Sequence, residues 1–147
     1  MTKSLKGPLF TEVVLEIFKL GGLLVNAGDR MSSDYGISSA RWKILGAIAL
    51  AGSPQTVPQI ARTMGLTRQA VQRLVDAMHH DGLLEFQINP GHKTAKLIKL
   101  TTRGAKIYSQ LDKKQIKWAN DCSTRLTQKE LQTTLRVLNN ISDVLET

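Results

Sequence analysis

Residues 58–83, PQIARTMGLTRQAVQRLVDAMHHDGL, constrain this chain more than any other stretch. They predict two short helices joined by a tight turn. The first passes through residues 59–63. Gly65 ends it where the backbone must turn left-handed, a conformation that only a residue without Cβ adopts cheaply. Thr67 then offers a side-chain oxygen to cap a second helix. Ile60 and Met64 lie one turn apart, and Leu66 closes the turn. Val71, Leu74, Val75 and Met78 follow the i, i+3, i+4, i+7 spacing of a half-buried helix. Ala61 is small where two helices must approach closely. The opposite face carries Arg68, Gln69, Gln72, Arg73 and Asp76. This is a helix-turn-helix pattern, and a face so rich in long hydrogen-bonding donors points to a helix that reads DNA. The competing interpretation is two ordinary amphipathic helices with a solvated polar face.

The rest of the chain agrees with an anionic partner. Its formal charge is +8 over 147 residues. Nucleic acid fits better than a membrane, because no apolar run approaches the roughly 20 residues of a spanning helix. The start MTKSLKGPLF has no signal-peptide apolar core after its lysines, so a cytoplasmic location is expected. One cysteine excludes an internal disulfide, in keeping with a reducing compartment. Few aromatic residues argue against a stacking platform for single strands.

In chain order, Gly7-Pro8 introduces a first helix, since proline suits a first turn. Phe10, Val13, Val14, Ile17, Phe18, Gly21, Leu24 and Val25 repeat at helical spacing toward an end near Arg30. That stripe is broad and has no sequence neighbour to cover it. Residues 32–36 read as a loop. Ser38 caps a second helix through Ala49, with Trp42, Leu45 and Ile48 inward. Residues 51–54 read as a turn, and Thr56-Val57 as a very short strand. After Gly82, Leu84, Phe86 and Ile88 alternate with Glu85, Gln87 and Asn89, the period of a half-buried strand. Asn89-Pro90-Gly91 is turn chemistry, and residues 96–100 form the returning strand. The hairpin tip is His92, Lys93 and Thr94, and a hairpin directly after a recognition helix acts as a wing on the DNA backbone or minor groove. Thr101 caps a helix over residues 102–122 with the stripe Ile107, Tyr108, Leu111, Gln115, Trp118 and Cys122. Thr127-Gln128-Lys129-Glu130 is a capping box, with Leu126 and Leu131 placed as a hydrophobic staple. It opens a last helix carrying Leu131, Leu135, Leu138, Ile141 and Leu145.

The expected fold is mainly α with a small β-hairpin wing. Residues 38–106 form a winged helix-turn-helix lobe, and residues 1–37 with 107–147 form one discontinuous helical dimerisation region. Two terminal helices with wide apolar stripes are expected to meet and pack on a second copy. A two-fold homodimer then matches an inverted repeat in double-stranded DNA, with recognition helices about 34 Å apart.

Nearly the whole chain resembles the MarR family of bacterial transcriptional regulators. The resemblance rests on Arg41-Trp42-Lys43-Ile44-Leu45, on the helix-turn-helix, and on Leu97-Ile98-Lys99-Leu100-Thr101 followed by Gly104. It implies an intertwined homodimer that binds inverted repeats near promoters. It also implies release, in many members, by a small lipophilic or anionic effector bound between the DNA-binding lobe and the dimer helices. The family wing usually carries Asp-x-Arg just before its second strand. Here those places hold His92 and Thr94, which predicts a more mobile or less discriminating wing.

The expected DNA-binding residues are Thr56, Gln59, Thr67, Arg68, Gln69, Gln72, Arg73, His92, Lys93, Thr94 and Lys96. Arginine bonds both acceptors of a guanine edge and glutamine both groups of adenine. Thr67 and the free amides of its helix end suit a phosphate, with Thr56 and Gln59 beside it. Lys93 and Lys96 add the salt-dependent term. For an effector, Arg30, Arg41 and Trp42 are the candidates, although Trp42 reads equally well as core. Cys122 shares a stripe with Leu111 and Trp118 and reads as a buried small hydrophobe rather than a redox sensor. His79 and His80 have no partners at metal-ligand spacing beyond Asp76 and Asp81, so no metal or cofactor is expected. No catalytic constellation is present, so no enzyme is expected. The expected function is a sequence-specific dimeric repressor, and the alternatives are a winged-helix protein-interaction module and a low-specificity DNA-binding protein. The cationic face with two glutamines argues against both.

Overall fold

The computed structural model describes residues 4–92 and 94–146. The chain divides into two compact units, Met1–Leu111 and Asp112–Thr147.

The first unit opens with α1, Lys6–Ser32. Pro8 sits in its first turn, where a missing N–H costs nothing. Only Gly28 and Ser32 of this helix are buried. Leu9, Phe10, Ile17, Phe18 and Leu24 are exposed, Phe18 at 75%. The helix runs two residues past Arg30, so that Ser32, expected to open the loop, is its last residue. A single 3-10 turn, Ser33–Tyr35, follows and is closed by Gly36 at φ 70°. Near its end α1 meets α2, Ser39–Ala51. A Cβ on Gly28 would lie 2.8 Å from the Ser39 Cβ, so the glycine allows the close approach. Beside it, the Ser39 backbone N–H donates to Asp29 Oδ1 at 2.7 Å.

Ser38 caps α2 by accepting from the Arg41 N–H. Helices α3 (Val57–Met64) and α4 (Arg68–His80) follow, separated by Gly65 at φ 66°. The expected strand at Thr56-Val57 is absent. Thr56 is the N-cap of α3 and Val57 its first residue. The extended contact lies one residue earlier, where Gln55 exchanges two backbone hydrogen bonds with Ile98, at 3.0 and 2.8 Å.

Strands β1 (Leu84–Gln87) and β2 (Leu97–Leu100) pair antiparallel, with Leu84 opposite Leu100 and Phe86 opposite Ile98. Leu84 and Ile98 face the core, while Glu85 and Lys99 pair on the outer face at 3.5 Å. Ile88 was expected to continue the inward alternation. It lies beyond the paired strand and is 86% exposed, because the chain there enters the Asn89–His92 turn. The core joins Ile44, Leu45 and Ile48 of α2 to Ile60 and Ala61 of α3 and Val71, Val75 and Met78 of α4. Leu83, Leu84, Ile98, Ile107 and Leu111 complete it. Each large aliphatic side chain among these contributes about 1.5–3 kcal/mol by leaving water.

Thr101 caps α5, Thr102–Cys122, by accepting from the Gly104 N–H at 3.0 Å. In the second unit, Thr127 and Glu130 form the expected reciprocal capping box of α6, Gln128–Leu145. No residue of α6 is buried. Cys122 is exposed, contrary to the buried thiol its apolar stripe predicted. Periodicity says which residues share a helix face, not whether anything covers that face. Among the described residues, no helix is long and apolar enough to cross a membrane.

Candidate nucleic-acid interface

The interface is built on two helix starts. At α3, the Gln59 N–H donates to Thr56 Oγ1 at 3.3 Å, and the Thr56 N–H donates to Gln59 Oε1 at 2.9 Å. This capping box escaped the sequence reading, although Thr-x-x-Gln was its visible signature. At α4, Thr67 Oγ1 accepts from the Ala70 N–H at 3.1 Å. Its own hydroxyl hydrogen remains available to a phosphate oxygen, next to the free amides of the helix end.

Buried Val71, Val75 and Met78 hold one face of α4 against the core. The opposite face is thereby turned outward, and Arg68, Gln69, Gln72, Arg73 and Asp76 are all exposed. A groove of about 550 Å³ runs between α4 and the hairpin. Arg68, Gln69, Gln72 and Asp76 line it from the helix, and Thr94 and Lys96 line it from the hairpin. Val57 and Pro58 form part of its wall, while Thr56 and Gln59, on either side of them in the chain, do not line it. Arg73 and His92 are exposed but do not line the groove. Lys93 lies outside the described residues.

Two side-chain contacts that residue spacing does not specify shape this surface. Gln72 Nε2 donates to Asp76 Oδ1 at 2.9 Å. Lys96 Nζ lies 5.2 Å from the centre of the Phe86 ring, and the His79 ring packs on the same phenyl at 4.4 Å. Phe86 therefore links the end of α4 to the wing at Lys96. A cation held over a ring is worth about 0.5–1 kcal/mol at an exposed site. Among the described residues, no group of three His, Cys, Asp or Glu is placed to hold a metal.

The three effector candidates occupy different settings. Trp42 is half-buried and packs against the core. Arg30 is exposed in the last turn of α1. Arg41 Nη1 is 2.6 Å from Asp81 Oδ2, at the end of α4. That hydrogen bond, with the Arg41 charge, holds the Asp81 carboxyl below the usual carboxylate range.

The sequence model of the MarR family matches residues 35–93, from the start of the helix-turn-helix lobe into the wing. An uncharacterised protein of Mycobacterium tuberculosis is 34% identical over 122 residues, covering 83% of this chain and 84% of its own length. The chain belongs to the MarR family. Among solved structures, a MarR/EmrR family transcriptional regulator from Acinetobacter sp. ADP1 shares the fold. It matches with a TM-score of 0.84 at 19% identity, over 94% of this chain and 97% of its own. A mutant MarR from E. coli complexed with operator DNA matches with a TM-score of 0.71 at 26% identity, over 90% and 97%. The helix-turn-helix and hairpin described above are thus the DNA-binding winged helix of a MarR family transcription regulator.

Proposed function

We propose that this MarR family protein acts as a homodimeric repressor that binds an inverted repeat in double-stranded DNA and leaves it when a small lipophilic or anionic effector binds. The observation that carries the reading is the groove between α4 and the hairpin. It is lined by Arg68, Gln69 and Gln72 on the helix and by Lys96 on the hairpin, a set in which the arginine would read guanine, the glutamines adenine, and the lysine would attract the backbone. In this reading α4 enters the major groove, Thr67 and the α4 amides take a phosphate, and Thr56 and Gln59 flank a second one. Arg73, off the groove, contributes at the rim. Lys93 and Lys96 supply counterion release, with His92 and Thr94 at the wing tip.

Dimerisation accounts for α1 and α6. Both helices present apolar side chains to solvent in the single chain: Phe10, Phe18 and Leu24 on α1, Leu131, Leu135 and Leu145 on α6. Apolar surface of this extent marks an association site. Residues 1–37 and 107–147 would serve the dimer, and residues 38–106 the DNA.

For the effector, Arg30, Arg41 and Trp42 remain the proposed positions. An anion that engages Arg41 must compete with Asp81, which sits directly after the recognition helix. Such competition loosens a tie between α2 and the end of α4, giving a ligand a route to DNA affinity.

Selection of bound duplexes from a random library at moderate salt tests the reading. An enriched inverted repeat with half-sites about one turn apart supports it. Folded protein that recovers no DNA removes it.

A further inference from the structure

We propose that Asp76 sets the base preference of the recognition helix by holding the Gln72 side-chain amide with its carbonyl oxygen turned outward. The inference rests on the reading of α4 as the base-contacting helix. Gln72 and Asp76 stand one turn apart, both are exposed, and both line the groove. Gln72 Nε2 donates to Asp76 Oδ1 at 2.9 Å. A carboxylate only accepts, so the amide meets it with nitrogen and leaves Oε1 directed elsewhere.

The charge of Asp76 makes a purely passive role costly. A carboxylate in a groove that also carries Arg68 and Lys96 opposes the approach of phosphates and weakens binding to every duplex alike. Among the described residues, no ion pair neutralises it. Its contact with Gln72 gives the opposing benefit, which is selectivity. A free glutamine swings its amide and satisfies several base edges. A glutamine tied through its nitrogen offers an acceptor first. That acceptor suits a base with an exocyclic amino group on its major-groove edge, adenine or cytosine. Against the O6 of guanine or the O4 of thymine it sets oxygen on oxygen.

The test is a binding profile over duplexes in which every half-site pair is replaced in turn by the other three, using the full chain. For the unaltered protein, one position should favour adenine or cytosine over guanine or thymine on the same strand by about ten-fold. Gln72→Ala should flatten that position. Asp76→Ala should also reduce its preference, to within about two-fold, while raising affinity for unrelated duplexes. Asp76→Asn, which keeps the side-chain size and can turn an N–H toward Gln72, should broaden the same position. It serves as the second variant if the alanine change impairs folding. An Asp76 variant that binds more tightly everywhere yet keeps the ten-fold preference would overturn the proposal and leave the DNA-reading assignment intact. So would a Gln72→Ala profile unchanged at every position. Failure of the unaltered protein to bind any duplex would instead remove the DNA-reading assignment, and this inference with it.

Discussion

Gly104 and Leu83 meet so closely that a Cβ on Gly104 would run into the Leu83 carbonyl oxygen. That oxygen accepts the Thr101 N–H at 3.1 Å, and the Thr101 hydroxyl donates to the Gly82 carbonyl at 2.6 Å. Arg103 Nη1 reaches the Asp81 carbonyl at 2.6 Å. The end of the recognition helix, the base of the wing and the start of α5 are thus locked at one junction. Gly104→Ala forces backbone apart there. It should destabilise the protein by about 1–3 kcal/mol, the usual range for overpacking. Denaturant unfolding checks this, and an unchanged midpoint would mean that the junction yields freely.

Three carboxyls give the protein a directional response to acid. Asp29 is held below the usual range chiefly by the Ser39 backbone N–H, Asp81 by the Arg41 hydrogen bond, and Glu130 by the Thr127 backbone N–H. A carboxyl lowered in the folded state contributes stability above its unfolded pKa and loses it as pH falls through the folded value. Stability should therefore fall on acidification below the ordinary carboxylate range. Asp81→Asn should be less stable than the unaltered protein at pH 7, with the difference shrinking as pH drops. Unfolding curves between pH 7 and 3 decide it, and a gap that is constant with pH would exclude the Arg41 contact as its source.

Arg68 and Lys96 line the same groove but act on different parts of DNA in this account. Arg68→Ala should cost about 1–3 kcal/mol on the selected operator and relax one base position. Lys96→Ala should weaken all duplexes alike and flatten the slope of log affinity against log salt by about one. Titrations at several salt concentrations separate the two. Equal loss of base preference in both variants would contradict the assignment.

Phe18, exposed on α1, should be covered in the dimer. Phe18→Asp places a charge on that face and should shift the protein to monomers at micromolar concentration, with operator binding lost in parallel. Sedimentation analysis reads the result directly. A variant that stays dimeric would move the interface away from this part of α1.

Much of this was legible in the sequence because local signals and long-range packing agreed. Thr67 and Gly65 define the turn, and Thr101 and Thr127 start their helices as read. The misreadings have separate physical causes. Thr56 and Val57 look like strand residues by type, yet the Gln59 side chain turns that point into a helix start. Ile88 continues the alternation in sequence but has lost its strand partner. The Lys96–Phe86 contact joins β1 to the residue just before β2, so it depends on a register that composition does not specify. Asp76 was visible on the polar face of α4, but its bond to Gln72 depends on side-chain rotamers that spacing only permits.

The most direct test of the central claim is the ratio of affinities for the selected inverted repeat and for a scrambled duplex of equal length, at one fixed salt concentration. A sequence-reading dimer predicts a ratio of roughly 10³ or more. A ratio near one would contradict it, leaving a basic protein that holds DNA by charge alone.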